Sequence, residues 1–111
     1  MKQDCNDLSK CPVTATMSLI GGKWKPIIIY AIGDKKRRFG EISARIPGLS
    51  RKVLTEQLKQ LEKDNLINRK QFNEIPPRVE YELTGLGKSL GQILHSMAEW
   101  GKEHVLATTN A

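Results

Sequence analysis

Ser50 to Leu66 reads S-R-K-V-L-T-E-Q-L-K-Q-L-E-K-D-N-L, and the rest of the chain is best read outward from it. Ser50 is a natural helix N-cap, because its hydroxyl can accept from the free amides of the first turn. Leu49 before it and Leu54 after it are spaced for a hydrophobic staple. Leu54, Leu58 and Leu61 recur at +4 and +3, which puts them on one helical stripe. Arg51, Lys52, Thr55 and Lys59 fall on the flank and back of that stripe. An amphipathic helix with a cationic N-terminal half, resting on a small core, suits a DNA major groove. An ordinary solvated helix shares this pattern, so its surroundings decide.

Upstream, a helix is predicted over about Gly40 to Ile46, with Ile42 and Ile46 inward, closed by Pro47-Gly48. The turn Pro47-Gly48-Leu49 joins it to the Ser50 helix, and helix, Gly-containing turn, helix is the helix-turn-helix arrangement. Downstream, Leu66 to Phe72 forms one strand of a hairpin. In the other strand Val79, Tyr81 and Leu83 alternate with Arg78, Glu80 and Glu82, the period of a half-buried strand. The connection Asn73-Glu74-Ile75-Pro76-Pro77 is polar and proline-stiffened. A hairpin directly after such a helix is a wing, and Arg69, Lys70 and Arg78 are expected to reach phosphates or the adjacent minor groove. Lys35-Lys36-Arg37-Arg38 is a cationic run in a loop or very short strand; solvated surface is its common fate, and Lys36, Arg37 and Arg38 are candidates for the DNA backbone.

The chain has 111 residues and 39% hydrophobic residues, enough for one domain with a small core. Residues 1–10 are expected as a flexible arm, and residues 11–111 as the domain. Net charge is +6. From Lys35 to Arg78 there are 12 Lys and Arg against 5 Asp and Glu, so the whole excess sits mid-chain. That distribution fits a polyanion-binding face. An anionic membrane surface would also want a spare apolar helix face. The longest apolar run, Ile27 to Ile32, is far below the roughly 18 residues of a membrane span. No h-region of a signal peptide is present at Met1 to Lys10. A cytoplasmic protein without a membrane partner is expected.

Near the N-terminus, Cys11-Pro12 reads as N-cap and first helical position. Val13, Met17 and Ile20 form a short stripe that Gly21-Gly22 ends. Pro26 is expected to start the next helix in the same way, and Ile27 to Ile32, apolar almost all round, should be central to the core. Thr84 can cap the last helix. There Leu86, Leu90, Ile93, Met97 and Trp100 recur in a heptad-like seam, with Leu94 apolar beside it. This stripe could simply close the domain's own core. Dimerisation is preferred, with Val13 and Met17 contributing and Gly87 and Gly91 admitting a partner backbone. The pattern as a whole predicts a mainly α fold with a small β-hairpin wing: a winged helix-turn-helix dimerised through terminal helices.

Several pieces match a known family: C-P-V (Cys11 to Val13), I-G-G-K-W-K (Ile20 to Lys25), R-R-F-G-E-I (Arg37 to Ile42), I-P-G-L-S-R-K-V-L-T-E-Q-L-K-Q-L-E (Ile46 to Glu62) and P-P-R-V-E-Y-E-L-T-G-L-G (Pro76 to Gly87). They occur in register over about Cys11 to Val105. The chain resembles the HxlR-type winged helix-turn-helix regulators, relatives of the MarR-like regulators. The resemblance implies a homodimer on inverted-repeat double-stranded DNA operators, a regulator (a repressor is expected) of nearby genes. Several members sense oxidants or electrophiles through a cysteine at the position of Cys11. A thiolate at a helix N-terminus is stabilised by free amides, which supports that role; a buried, inert cysteine is the plain alternative. Cys5 is either a resolving thiol or incidental, and a structural disulfide is not expected in the cytosol.

Competing readings differ in chemistry. His95, Glu99 and Glu103 fall at i, i+4 and i+8 with His104 beside them, a pattern that could hold zinc across a dimer but is more often solvated. No metal or cofactor is expected, while a small-molecule or electrophile effector remains open. No phosphate loop, H-E-x-x-H or nucleophile–base pair points to an enzyme. A winged helix used only for protein assembly would bind with little dependence on salt, unlike a DNA-binding one. The DNA-binding candidates are therefore Lys36, Arg37, Arg38, Ser50, Arg51, Lys52, Thr55, Lys59, Arg69, Lys70 and Arg78.

Overall fold

The computed structural model describes residues 10–107; the arm expected over residues 1–10 lies outside them apart from Lys10. Helix α1 spans Pro12–Leu19, α2 Trp24–Ile32, α3 Phe39–Arg45 and α4 Arg51–Lys63. A hairpin follows, β1 Ile67–Phe72 and β2 Arg78–Leu83, then α5 Gly85–Gly101 and a π-helical turn, Lys102–Leu106. The strands pair antiparallel from Ile67 opposite Leu83 to Phe72 opposite Arg78. The backbone of Arg37 extends this sheet by one position. Its N–H donates to Tyr81 O at 2.8 Å and its carbonyl accepts from Tyr81 N at 2.7 Å.

The core lies where α2, α3, α4, the base of the hairpin and α5 meet. Ile28, Ile29, Ile32, Ile42, Leu54, Leu61, Leu66 and Ile67 are almost wholly buried there. Helix α2 is central, though not apolar-buried all round as its composition suggested: Ile27 and Tyr30 are exposed. It starts at Trp24, so Pro26 is its third residue rather than its first. The missing N–H still falls in the first turn, where no intrahelical partner exists.

Helix α4 ends on a Schellman motif. Leu66 N–H donates to Leu61 O at 2.9 Å and Asn65 N–H to Glu62 O at 3.0 Å, with Asn65 in the left-handed region at φ 62°. Asparagine tolerates that conformation, and the apolar pair Leu61 and Leu66 closes the motif. Thr84 then ties this corner to α5. Its hydroxyl donates to Asn65 O at 2.7 Å and accepts from Gly87 N at 3.0 Å. Gly87 is pressed so closely on the Leu66 carbonyl that a Cβ there would collide with it. Gly91 faces Leu83 of the same chain. The expectation that both glycines admit a partner backbone is thus corrected for Gly87, which admits the chain's own corner at Leu66; a Cβ on Gly91 would make only ordinary contact with Leu83.

The two ends project from this core. None of the eight residues of α1 is buried, and only Cys11 and Ile20 at its borders are. The radius of gyration is 16.1 Å, against about 13 Å for a compact hundred-residue domain. A helix of two turns that buries nothing is marginal by itself in water.

Candidate nucleic-acid interface

The two helices of the helix-turn-helix are set by their N-termini and the turn between them. Glu41 Oε1 accepts from Arg38 N at 2.7 Å at the start of α3. Ser50 Oγ accepts from Val53 N at 3.1 Å at the start of α4. Gly48, at φ 89°, lets the turn reverse, a conformation any side chain would strain. Leu49 and Leu54 are both buried beneath it.

With Leu54, Leu58 and Leu61 inward, α4 presents Arg51, Lys52, Thr55 and Lys59 to solvent. Arg51 lies with its guanidinium 4.7 Å over the ring of Phe39, the first residue of α3. The Thr55 hydroxyl donates to Arg51 O at 2.8 Å, which leaves its oxygen to accept and its methyl free for contact. Glu56, absent from the candidates above, is exposed on the same face. Its place four residues after Lys52 is the signal that could have found it. A groove of about 290 Å³ runs between α4 and the sheet and gathers Thr55, Lys59, Glu62, Arg69 and Tyr81. Residues expected separately on the helix and on the wing thus share one concave seam.

The eleven candidates do not all stand alike. Lys36, Arg38, Ser50, Arg51, Lys52, Thr55, Lys59, Arg69 and Lys70 are exposed. Arg37 is not a free cation of the run: its Nε donates to Ile32 O at 2.9 Å, sealing the end of α2. Arg78 is held at the loop end of the hairpin, opposite Phe72, 2.9 Å from Glu74 and 3.8 Å from Glu80, with its guanidinium 4.0 Å over the Phe72 ring. Its Nε is buried without a hydrogen-bond partner. The hairpin as a whole carries three cations (Arg69, Lys70, Arg78) and three carboxylates (Glu74, Glu80, Glu82), so its formal charge is balanced. The excess lies between Lys35 and Lys63, with nine cations against three carboxylates. At the wing's tip Ile75 is fully exposed.

The apolar seam of α5 divides. Leu86, Ile93, Met97 and Trp100 are exposed, Trp100 at 61%. Leu90 and Leu94, expected at the same dimer interface, are instead in the domain core at 7% and 6%. A stripe at +3 and +4 spacing is wide enough to serve both faces, and the packing of α5 on α2 and β2 takes those two residues. Val13 and Met17 of α1 are exposed.

Cys11 N-caps α1 and is 2% exposed. It is disulfide-bonded, which corrects the expectation that no disulfide forms. The only other cysteine in the sequence is Cys5, outside the described residues. Among the described residues no three His, Cys, Asp or Glu side chains gather as a metal-holding group. His104 is turned onto Trp100, with ring centroids 4.9 Å apart. No helix among them is long and apolar enough to cross a membrane.

This arrangement matches known proteins over most of its length. The family model for HxlR-like helix-turn-helix proteins matches residues 19–109. A protein bearing the name regulatory protein MalR, from Fusobacterium mortiferum, is 45% identical over 96 residues, covering 86% of this chain and 91% of that one. A structure from Porphyromonas gingivalis W83, assigned to the MarR family of transcriptional regulators, superposes with a TM-score of 0.83 at 43% identity, covering 86% of this chain and 94% of that one. The redox regulator HypR in its oxidised form superposes with a TM-score of 0.79 at 42% identity, covering 85% and 97%. Such relatives are transcriptional regulators rather than enzymes. The winged helix-turn-helix, its cationic outer face and these similarities agree: the chain belongs to the HxlR-like helix-turn-helix family of transcriptional regulators.

Proposed function

We propose that the chain is a homodimeric repressor that reads an inverted-repeat operator and releases it on oxidation of Cys11. The observation that carries the DNA reading is the outer face of α4, which offers Arg51, Lys52, Thr55, Glu56 and Lys59 from a helix anchored by three buried leucines. Arginine and lysine suit guanine O6 and N7, and Glu56 suits a cytosine N4 donor. Lys36 and Arg38 at the head of α3 serve phosphate, as do Arg69 and Lys70 on the hairpin. Arg37 and Arg78 support the site without touching DNA.

Dimerisation is supported by apolar surface that the monomer leaves uncovered. Helix α1 buries nothing, and α5 exposes Leu86, Ile93, Met97 and Trp100. A two-fold dimer through these faces would set its α4 helices about 34 Å apart, one turn of DNA. A dimer of this size on a promoter blocks polymerase by occupancy. The cytoplasm is the expected compartment.

The thiol switch is supported by the disulfide state of Cys11 and by the similarity to the redox regulator HypR. Two thiols lose two electrons and two protons to the oxidant, and α1, bordered by Cys11, joins the event to the apolar face. The test is binding of the reduced protein to DNA upstream of its own gene and of its neighbour, across a salt series, with and without diamide, which is itself reduced to the hydrazine. Specific, salt-steep binding that diamide abolishes in wild type but not in Cys11→Ser is expected. Binding indifferent to diamide removes the switch and keeps the regulator. Absence of specific binding at low salt overturns both.

A further inference from the structure

We propose that Ile75, at the tip of the hairpin loop, is an apolar wedge that enters the minor groove beside the major groove held by α4 and opens one flexible base step there. The proposal rests on the DNA-binding reading above and adds a determinant of sequence that neither α4 nor the cations of the hairpin supply. Ile75 is fully exposed, so packing within the described residues gives no reason for an isoleucine at this position. Pro76 and Pro77 follow it, and neither offers a backbone N–H to water. Ile75, Pro76 and Pro77 together make an apolar point, built of residue types that proteins insert between base pairs.

The tip is stiff. Glu74 N–H donates to Phe72 O at 2.9 Å, and Arg78 closes the loop from the other strand, 2.9 Å from Glu74. The Phe72 ring takes the Arg78 guanidinium at 4.0 Å and Lys70 Nζ at 5.0 Å. The two prolines fix their own φ angles. A wedge needs this rigidity, because every segment that must be ordered on binding subtracts from the gain.

Charge decides how such a tip can read DNA. Residues 73–77 hold no Lys or Arg, and their one carboxylate, Glu74, is paired with Arg78. The narrow minor groove of an A-tract attracts an inserted arginine or lysine through its negative potential; a neutral apolar tip gains nothing from that field. It gains by burying its surface between bases that unstack easily, which are the pyrimidine–purine steps TA and CA/TG. The cations stand further back. Arg69 and Lys70 lie on β1, and Arg69 shares the seam with Thr55 and Lys59 of α4. From Arg69 to Phe72 the strand advances about 10 Å, and the loop extends past that. This is the scale of the step from a phosphate backbone into the neighbouring minor groove. The hairpin thus holds phosphate at Arg69 and Lys70 and carries Ile75 beyond it.

The full chain tests this with a random duplex DNA library, from which wild type and Ile75→Ala each select bound sequences. Because the side chain is fully exposed, the variant should keep the wild-type melting temperature. Both proteins are expected to select the same central motif, read by α4. Wild type alone should enrich a TA or CA/TG step at a fixed distance outside that motif on both sides. On the sequence selected by wild type, Ile75→Ala should bind about five- to tenfold more weakly. An aminopurine base placed at the flanking step should brighten with wild type, as unstacking relieves its quenching, and stay dark with the variant. Identical flanks for the two proteins, A-tracts in the flanks selected by wild type, or equal brightening overturns the proposal, while the shared motif keeps the DNA-binding reading. No motif selected by wild type overturns both. A changed sedimentation coefficient for Ile75→Ala would place the tip against a second copy of the chain and overturn the proposal as well.

Discussion

The Arg51 guanidinium stands 4.7 Å over the ring of Phe39, so the first residue of α4 is braced by the first residue of α3. An exposed cation–π contact of this kind contributes about 0.5–1 kcal/mol. More to the point, it holds a long side chain in one place before DNA arrives. Replacing Phe39 by Leu should keep the half-buried packing of the site but lose the platform. Operator affinity should fall about two- to fivefold. On an Arg51→Ala background the same change should cost almost nothing. Additive losses in anisotropy titrations of the double-mutant cycle would show that Phe39 acts otherwise.

Lys52 and Arg78 should behave differently in salt. Lys52→Ala removes an exposed cation from the groove-facing side, and the slope of log K against log salt should fall by roughly 1. Arg78→Ala should leave that slope unchanged and instead lower the melting temperature, because its ion pairs with Glu74 and Glu80 and its contact with Phe72 hold the loop end of the hairpin together. Equal slopes for wild type and Lys52→Ala would take Lys52 off the DNA.

Gly87→Ala should destabilise the fold by about 1–3 kcal/mol, the usual range for overpacking. The added methyl would meet the Leu66 carbonyl, a backbone atom held by the Schellman corner and by Thr84 N, which donates to it at 3.0 Å. Gly85→Ala, with open space around its Cβ, is the control, and its effect should stay within about 0.5 kcal/mol. Urea unfolding of both variants decides. Equal midpoints for the two would contradict the close approach.

Ile93→Asp tests the exposed apolar face. The side chain is 55% exposed, so the monomer should fold with an unchanged circular dichroism spectrum. A charge at the centre of an apolar interface costs several kcal/mol if a partner covers it. Sedimentation should show monomer where wild type shows dimer, and operator affinity should drop in parallel. A variant that still sediments as a dimer would place the interface elsewhere.

Local chemistry makes much of this chain legible without its structure. Ser50 as N-cap, the leucines of α4, the alternation in β2 and Thr84 before α5 are short-range patterns, each set by hydrogen bonds or periodicity within a few residues. They are enough for the helix-turn-helix, the hairpin and the cationic face of α4. Periodicity does not say what a stripe packs against. Leu90 and Leu94 go to the domain's own core while Leu86, Ile93 and Met97 stay outside, because adjacent stripes on one helix look alike until α2 and β2 are set beside it. Charge in sequence is likewise blind to pairing. Arg37 is drawn to the α2 carboxyl end and Arg78 to Glu74 and Phe72, contacts made only after the sheet and helices meet. The role of Gly87 arises from the approach of a distant segment, the Leu66 carbonyl. Residue identity alone determined the elements and their outward charge; tertiary packing decided which apolar and charged side chains were already engaged, since burial and ion pairing depend on neighbours that the sequence places far apart.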